Sequence, residues 1–81
     1  MIPSVQKAEY IHDYLLNLTF QTGEVKQFDM APYLENDSLV FRPLKQPDIF
    51  QMFVVDNGTV VWITGADMAP ERLYTDGTFV K

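Results

Sequence analysis

The chain has no cysteine and only one histidine, and these absences exclude several kinds of chemistry. Without thiols there is no disulfide, no thiolate metal site and no cysteine nucleophile. Neither Ser4 nor Ser38 lies in a Gly-x-Ser-x-Gly elbow, the usual setting of a hydrolase serine. A cysteine-free chain suits a reducing compartment, so we expect a cytoplasmic protein.

Cations are scarce as well: six Lys and Arg face eleven Asp and Glu, for a net charge of −5. The six are dispersed along the chain, whereas nucleic-acid binding depends on clustered cations that displace phosphate counterions. We therefore expect no direct binding of DNA or RNA. Apolar runs such as residues 60–63 are far shorter than the ~20 residues of a membrane span. The N-terminus also lacks a signal-peptide pattern, so we expect no membrane partner.

The polar residues predict neither a catalytic centre nor a cofactor site. His12 has only Asp13 beside it, and neighbours on a strand point to opposite faces, so we interpret it as a turn or surface histidine. Asp56, Asp67 and Glu71 are the one local carboxylate set, but they lack the dense alternation of a calcium loop. We expect no enzyme, no metal and no cofactor.

What the chain does contain is apolar surface. Of its 81 residues, 47% are hydrophobic and 14% aromatic, which is rich for one small domain. We expect a single domain over residues 1–81 that builds its core unaided and leaves apolar surface for a partner.

The first third predicts a three-stranded antiparallel meander. Residues 5–11 alternate, with Val5, Lys7 and Glu9 expected on one side. His12-Asp13 forms a tight turn into a strand that alternates through residues 14–20. Gly23 then provides a turn back into residues 25–28.

The remainder predicts short helices that begin at prolines, and a second hairpin. Pro32, Pro47 and Pro70 suit first helical turns, with Asp29 as a cap for the first helix and a break at residues 36–38. Asn57-Gly58 is the strongest hairpin signal in the chain. The β-branched run at residues 60–63 suits a strand that is covered on both faces or pressed against the helices.

These elements together predict an α+β fold, in which an antiparallel sheet and a second hairpin pack against the short helices. Asp67 is interpreted as a hydrogen-bond acceptor for the free amides that open the helix at Pro70. Phe79 and Val80 either add an edge strand or fray. Gly23, Asn57, Gly58, Trp62, Asp67 and Pro70 are thus expected to have structural roles.

Aromatic side chains provide the candidate partner surface. Most of the rings should be core, because aromatics dominate burial in small folds. The ones that we assign to a partner or dimer surface are Tyr33, Phe41 and Tyr74.

Two blocks of sequence resemble a bacterial and archaeal family, domain of unknown function 2442. The first runs from Leu18-Thr19-Phe20 to Pro47-Asp48-Ile49-Phe50, and the second from Gly58-Thr59-Val60-Val61-Trp62 to Leu73-Tyr74. The resemblance implies a small α+β domain that stands alone or precedes a helix-turn-helix domain. It also implies a gene beside another small family, in arrangements that look like toxin–antitoxin pairs. No helix-turn-helix pattern follows Tyr74, and the family supplies no catalytic residues to transfer.

Two functional hypotheses from different classes follow. The first is a protein-interaction module, the antitoxin-like half of a pair, which binds a small protein encoded nearby or a second copy of itself. The second is a metabolite sensor with a pocket between the sheet and the helices near Trp62. The aromatic surplus and the lack of catalytic groups favour the first.

Overall fold

Two antiparallel sheets of unequal size form the framework of the protein. The computed structural model describes residues 2–35 and 39–79. In chain order, the strands are β1 (Val5–Tyr10), β2 (Leu15–Phe20), β3 (Val25–Asp29), β4 (Phe53–Asp56), β5 (Thr59–Trp62) and β6 (Thr78–Phe79). The larger sheet has the order β1-β2-β3-β6, and β4 and β5 form a separate two-stranded sheet. The predicted meander and the second hairpin are both confirmed.

In the described part of the chain, four short helical segments lie between the strands. They are α1 (Ala31–Leu34), a 3₁₀ helix (Arg42–Lys45), α2 (Pro47–Phe50) and α3 (Pro70–Asp76). Each has a proline at its first or second position, where a fixed φ and a missing N–H cost nothing. The 3₁₀ helix was not predicted, because Pro43 disfavours the helical conformation at Arg42, the residue before it. The predicted break at residues 36–38 lies outside the described residues.

The inner face of the larger sheet provides much of the core. Leu16, Leu18 and Phe20 alternate along β2 and are fully buried, as the period of two predicts. On β3 the matching positions are Lys26 and Phe28, paired with Leu18 and Leu16. Burying each such apolar side chain stabilises the fold by roughly 1.5–3 kcal/mol.

The predicted facing of β1 is wrong over half of its length. The register with β2 shifts between Val5 and Lys7, which marks a β-bulge. The extra residue reverses the alternation, so that Val5 faces the core together with Ala8 rather than with Lys7. Lys7 and Glu9 are exposed and form an ion pair at 3.0 Å.

The β4–β5 hairpin is joined to β1 of the larger sheet at one end and to α2 at the other. At the turn end, the Val5 N–H donates to the Gly58 carbonyl at 2.8 Å. At the other end, the indole N–H of Trp62 donates to the Phe50 carbonyl at 2.8 Å, and the two rings lie 5.8 Å apart. Trp62 is only 2% exposed and belongs to one core cluster with Phe20. The inner side of the hairpin is therefore part of the main core.

Of the two alternatives for residues 60–63, cover on both faces is wrong, whereas contact with a helix holds at Trp62, which packs on Phe50 of α2. β5 ends at Trp62, Val61 is only partly buried, and Ile63 is 71% exposed. The cover is local: the Thr59 hydroxyl donates to the Met68 carbonyl, so residues near Met68 shield the start of β5 but not its end. At the C-terminus, Phe79 pairs with Lys26 on β3, which settles the choice between strand and frayed tail for Phe79. Val80 lies outside the described residues.

Candidate interaction surface

Tyr33, assigned to a partner surface from sequence, is held against the protein itself. Its ring stacks on Phe28, with centroids 5.5 Å apart and planes at 21°. Its hydroxyl donates to the Asp76 carboxylate at the end of α3. Burial raises the pKa of Tyr33 above its ordinary value, and the bond to Asp76 raises it further. The residue thus links α1 to α3.

Tyr74 likewise makes several contacts within the chain. Its ring meets Phe20 edge to face at 5.1 Å, and its hydroxyl donates to both carboxylate oxygens of Glu24 at 3.0 Å. Lys26, only 6% exposed, places its Nζ 3.9 Å from the centre of the same ring and donates to the Tyr74 carbonyl. These bonds fasten α3 onto β3.

The carboxylate of Glu24 has a lowered pKa because of hydrogen bonds from two hydroxyls. The hydroxyl of Thr22, 2.7 Å from Glu24 Oε1, and then that of Tyr74 hold the pKa of Glu24 below its ordinary value. The same hydrogen bond to Glu24 raises the pKa of Tyr74. Both shifts have the same origin, since each bond favours charged Glu24 and neutral Tyr74.

Phe41, the third aromatic residue of the predicted surface, is partly buried against the core at the start of the 3₁₀ helix. None of the three aromatic residues is among the exposed large hydrophobic residues of the described chain. Those lie elsewhere, and three of them belong to one surface: Met52 is 50% exposed, Val54 63% and Ile63 71%.

This surface is the outer face of the β4–β5 hairpin. Val54 pairs directly with Val61, and the Ile63 N–H donates to the Met52 carbonyl at 2.8 Å, which extends the ladder by one residue pair. Because paired residues share a face and alternate residues return to it, these four side chains lie on one side. We call this set, Met52, Val54, Val61 and Ile63, the hairpin face.

A groove of about 400 Å³ runs over the hairpin face. Its lining is almost entirely apolar and consists of Met52, Phe53, Val54, Val61, Trp62 and Ile63. Trp62 borders the groove, although its side chain lies on the inner side of the hairpin and nearly all of its surface is buried. Aromatic and aliphatic lining of this kind is typical of binding surfaces.

Two carboxylates lie on the same side of the hairpin as the groove. Asp56 follows Val54 by two residues on β4 and is exposed. Asp67 forms an isolated antiparallel bridge with Val61 across the other edge of β5 and is also exposed. By the pairing rule above, both belong to the outer side.

The turn that joins the two strands has the conformation that its sequence predicts. Asn57 and Gly58 both have positive φ, at 51° and 78°, as a two-residue hairpin turn requires. A side chain at Gly58 would also collide with Ser4, the residue before β1. Its Cβ would lie 2.9 Å from Ser4 Oγ and 3.0 Å from Ser4 Cβ. At Gly23, where φ is 92°, no atom lies within 4 Å of such a Cβ.

Pro70 is the first residue of α3, but Asp67 does not cap that helix. The N-cap is Ala69, and no side-chain hydrogen bond caps it. The capping role expected for Asp67 is wrong, because its backbone extends the strand region beside Val61 instead. The N-cap of α1 is Met30 rather than the predicted Asp29, but the Asp29 carboxylate does accept the Ala31 N–H at 2.9 Å.

Within the described residues, His12 and the scattered acids form no compact polar centre. His12 lies in the β1–β2 turn, exposed, with Nδ1 3.0 Å from Asp13 Oδ2, so the two side chains meet rather than point apart. Asp13 has φ of 50°, which places the pair in a turn and not on a strand. Among residues 2–35 and 39–79, no group of three His, Cys, Asp or Glu side chains could hold a metal ion. Over the same ranges, no helix has the length and apolar character needed to cross a membrane.

Two antiparallel sheets, proline-initiated helices and an uncovered apolar hairpin face define a small α+β domain with a candidate binding surface. The chain belongs to DUF2442, a family described as protein of unknown function, whose model matches residues 5–79. The resemblance noted from sequence is thereby confirmed. Neither a curated protein nor a solved structure matches the chain.

The hairpin face contains residues that sequence reasoning did not select. Val54 and Ile63 lie in apolar runs on either side of Asn57-Gly58, in which neither residue differs in type from its buried neighbours. One signal was available: the pairing that Asn57-Gly58 imposes puts Val54 opposite Val61, on the opposite side from Trp62. If Trp62 faces the core, Val54 and Ile63 must face away from it.

Proposed function

We propose that this protein is a non-catalytic interaction module that binds a protein partner through the hairpin face. The observation that supports the proposal is the exposure of Met52, Val54 and Ile63 on one side of a hairpin whose other side is core. Exposed apolar groups cost free energy in water, and clustered ones are typical of contact surfaces. We place the interaction in a reducing cytoplasm, in keeping with the absence of cysteine.

The rigidity of the support favours recognition by a preformed surface. The hairpin is tied at one end by the Val5–Gly58 hydrogen bond and at the other by the Trp62–Phe50 bond. A face held at both ends pays little ordering entropy when a partner binds.

The partner in this proposal is the small protein encoded beside genes of this family, with this chain as the antitoxin-like half of the pair. Co-expression of the two, followed by gel filtration, tests the pairing. We expect co-elution with the unmodified chain and separate elution with a Val54→Ser, Ile63→Ser double variant. A Gln27→Ser, Thr78→Ser variant, changed at exposed polar positions of the larger sheet, is the control and should co-elute.

A chain that stays monomeric and unbound in that experiment would refute the interaction module. The finer, antitoxin-like role has its own readout. Expression of the neighbouring protein alone should slow growth. Co-expression of the unmodified chain should restore normal growth, whereas co-expression of the double variant should not. Normal growth with the neighbouring protein alone would remove the toxin–antitoxin assignment and leave the binding module in place.

The second candidate function, a small-molecule sensor, is supported by the apolar groove of about 400 Å³ beside Trp62. The groove lies on the outer side of the hairpin and not between the sheet and the helices, where the sequence placed the pocket. Because Trp62 is the only tryptophan, its fluorescence during titration with a metabolite library tests this function. A flat response across the library would eliminate it.

A further inference from the structure

The charges around the hairpin face restrict what it can bind. From Gln46 to Glu71 the sequence contains no Lys or Arg, so the hairpin and its flanks have only acidic charge. Asp56 lies one alternate position from Val54, roughly 7 Å along β4, and Asp67 lies one strand spacing, about 5 Å, from Val61. The apolar groove is therefore bordered by two carboxylates.

The nearest strand of the larger sheet does not offset that charge. β1 contacts both β4 and β5. Its only cation, Lys7, is paired with Glu9 on the same strand at 3.0 Å. With a net charge of −5 for the chain, the field over the hairpin face favours an approaching cation.

The size of the surface argues against a second copy as its main occupant. Three exposed side chains offer apolar area on the order of 300 Å², well below the ~800 Å² per partner of a stable interface. In self-docking, both partners would also bring the same acidic border to the interface, and like charges in contact cost affinity. A partner must supply opposite charge to make up for the small apolar area.

We infer that the hairpin face binds a short amphipathic segment of a basic partner, with apolar side chains in the groove and Lys or Arg against Asp56 and Asp67. This inference rests on the proposed interaction function and specifies the chemistry of the partner. Two strands and their bridge at Asp67 span about 10 Å, which is the width of one helix. Two turns of helix with apolar residues at i, i+3 or i+4, and i+7 fit such a face.

Synthetic peptides test this inference without knowledge of the natural partner. The probe is a 14-residue peptide of Leu and Lys in which the leucines form one helical stripe. One comparison peptide has Glu in place of every Lys, and a second has the Leu/Lys composition in an order that destroys the stripe. None contains tryptophan, so the emission of Trp62 beside the groove reports binding.

We expect the striped Leu/Lys peptide to change Trp62 emission saturably, and the other two peptides to have little effect. Asp56→Asn with Asp67→Asn should weaken binding by about tenfold at low salt, as for two partly screened ion pairs. Val54→Ser with Ile63→Ser should abolish it. Asp13→Asn with Asp48→Asn removes the same charge outside the hairpin and should change affinity less than twofold. Backbone amide shifts by NMR should locate the peptide at residues 52–63.

Three results would overturn the inference. They are equal binding of the Leu/Glu peptide, equal weakening by the Asp13/Asp48 control, and the absence of any saturable response. Binding of both charge types at residues 52–63 would leave the interaction module standing and remove only the basic partner. Co-elution in the co-expression experiment without any peptide binding would do the same, so the two failures are distinguishable.

Discussion

The four-stranded sheet and the β4–β5 hairpin place their apolar residues differently. In the sheet, Leu16, Leu18 and Phe20 all face one side and are completely buried. In the hairpin, Trp62 faces the core while Val54 and Ile63 face solvent. Strands that pack on one face normally present polar residues on the other, so an apolar second face indicates a surface with a further use.

Two of the tyrosines were assigned to a contact surface from sequence but make contacts within their own chain. Tyrosine is a common residue at contact surfaces, yet the hydroxyls of Tyr33 and Tyr74 each donate a hydrogen bond to a carboxylate of the same chain. Hydrogen-bonded rings of this kind fasten α3 to the sheet and to α1. Exposure, rather than aromatic character, therefore distinguishes the residues of the proposed contact surface from these two tyrosines.

Removal of Trp62 should have the largest effect, because it breaks the buried side of the hairpin. Trp62→Ala should destabilise the fold by about 3–5 kcal/mol, through the cavity and the lost bond to the Phe50 carbonyl. Urea unfolding followed by circular dichroism measures this. Trp62→Phe keeps most of the packing and should lose clearly less. If both cost the same as a surface change, the hairpin is not part of the core.

Substitution at the two hairpin turns, β2–β3 and β4–β5, should have a smaller effect. Gly23→Ala should cost about 1 kcal/mol, because a residue with a side chain must take positive φ there. Gly58→Ala should cost at least about 1 kcal/mol more, since its Cβ would also collide with Ser4. Urea midpoints of the two variants compare them directly. Equal midpoints would mean that the contact between β1 and the hairpin is easily displaced.

The sequence predicted those parts of the fold whose conformation depends only on neighbouring residues. Asn57-Gly58 fixes a two-residue turn whatever surrounds it, and Pro32, Pro47 and Pro70 mark first turns of helix for reasons within the residue. The bulge in β1 was not predictable, because it depends on the register with β2, which no residue of β1 reveals. The same holds for Lys26, whose burial depends on the ring of Tyr74 nearly fifty residues away.

The candidate surface could be predicted only in part. A surplus of apolar residues was evident from composition, but which of them stay exposed depends on how far the helices and loops reach over the hairpin. Met68 shields Thr59 at one end of β5, and the outer side of the hairpin at Ile63 is left open. Coverage of this kind is a property of tertiary packing and leaves no local pattern.

A pH titration of Glu24 tests its hydrogen bonds with Thr22 and Tyr74. The pKa of Glu24 is lower in the folded chain, so its stabilising contribution exists above the ordinary value of 4.5 and is lost as pH falls through the folded value. Thr22→Ala should raise the pKa of Glu24 most, and Tyr74→Phe should raise it less. Side-chain carboxyl NMR shifts measure both. An unchanged pKa in both variants would show that these hydroxyls do not hold Glu24.

The smallest effect on stability is expected at the exposed side of the hairpin. Val54→Ser and Ile63→Ser should each change the free energy of unfolding by no more than about 0.5 kcal/mol, because both side chains are mostly in water already. Measured beside Leu18→Ala, which should cost about 2–5 kcal/mol, they compare the two regions directly. A large loss at Val54 would place it in the core and contradict its proposed role as a contact residue.

The bulge in β1 has a further consequence, for aggregation. β1 forms one edge of the larger sheet, and an irregular edge with the Lys7–Glu9 ion pair is a poor template for another strand. The opposite edge, β6, spans only two described residues. Both borders of the sheet thus discourage the edge-to-edge stacking that leads to fibrils. A chain with this much apolar surface therefore has some protection against the most damaging form of self-association.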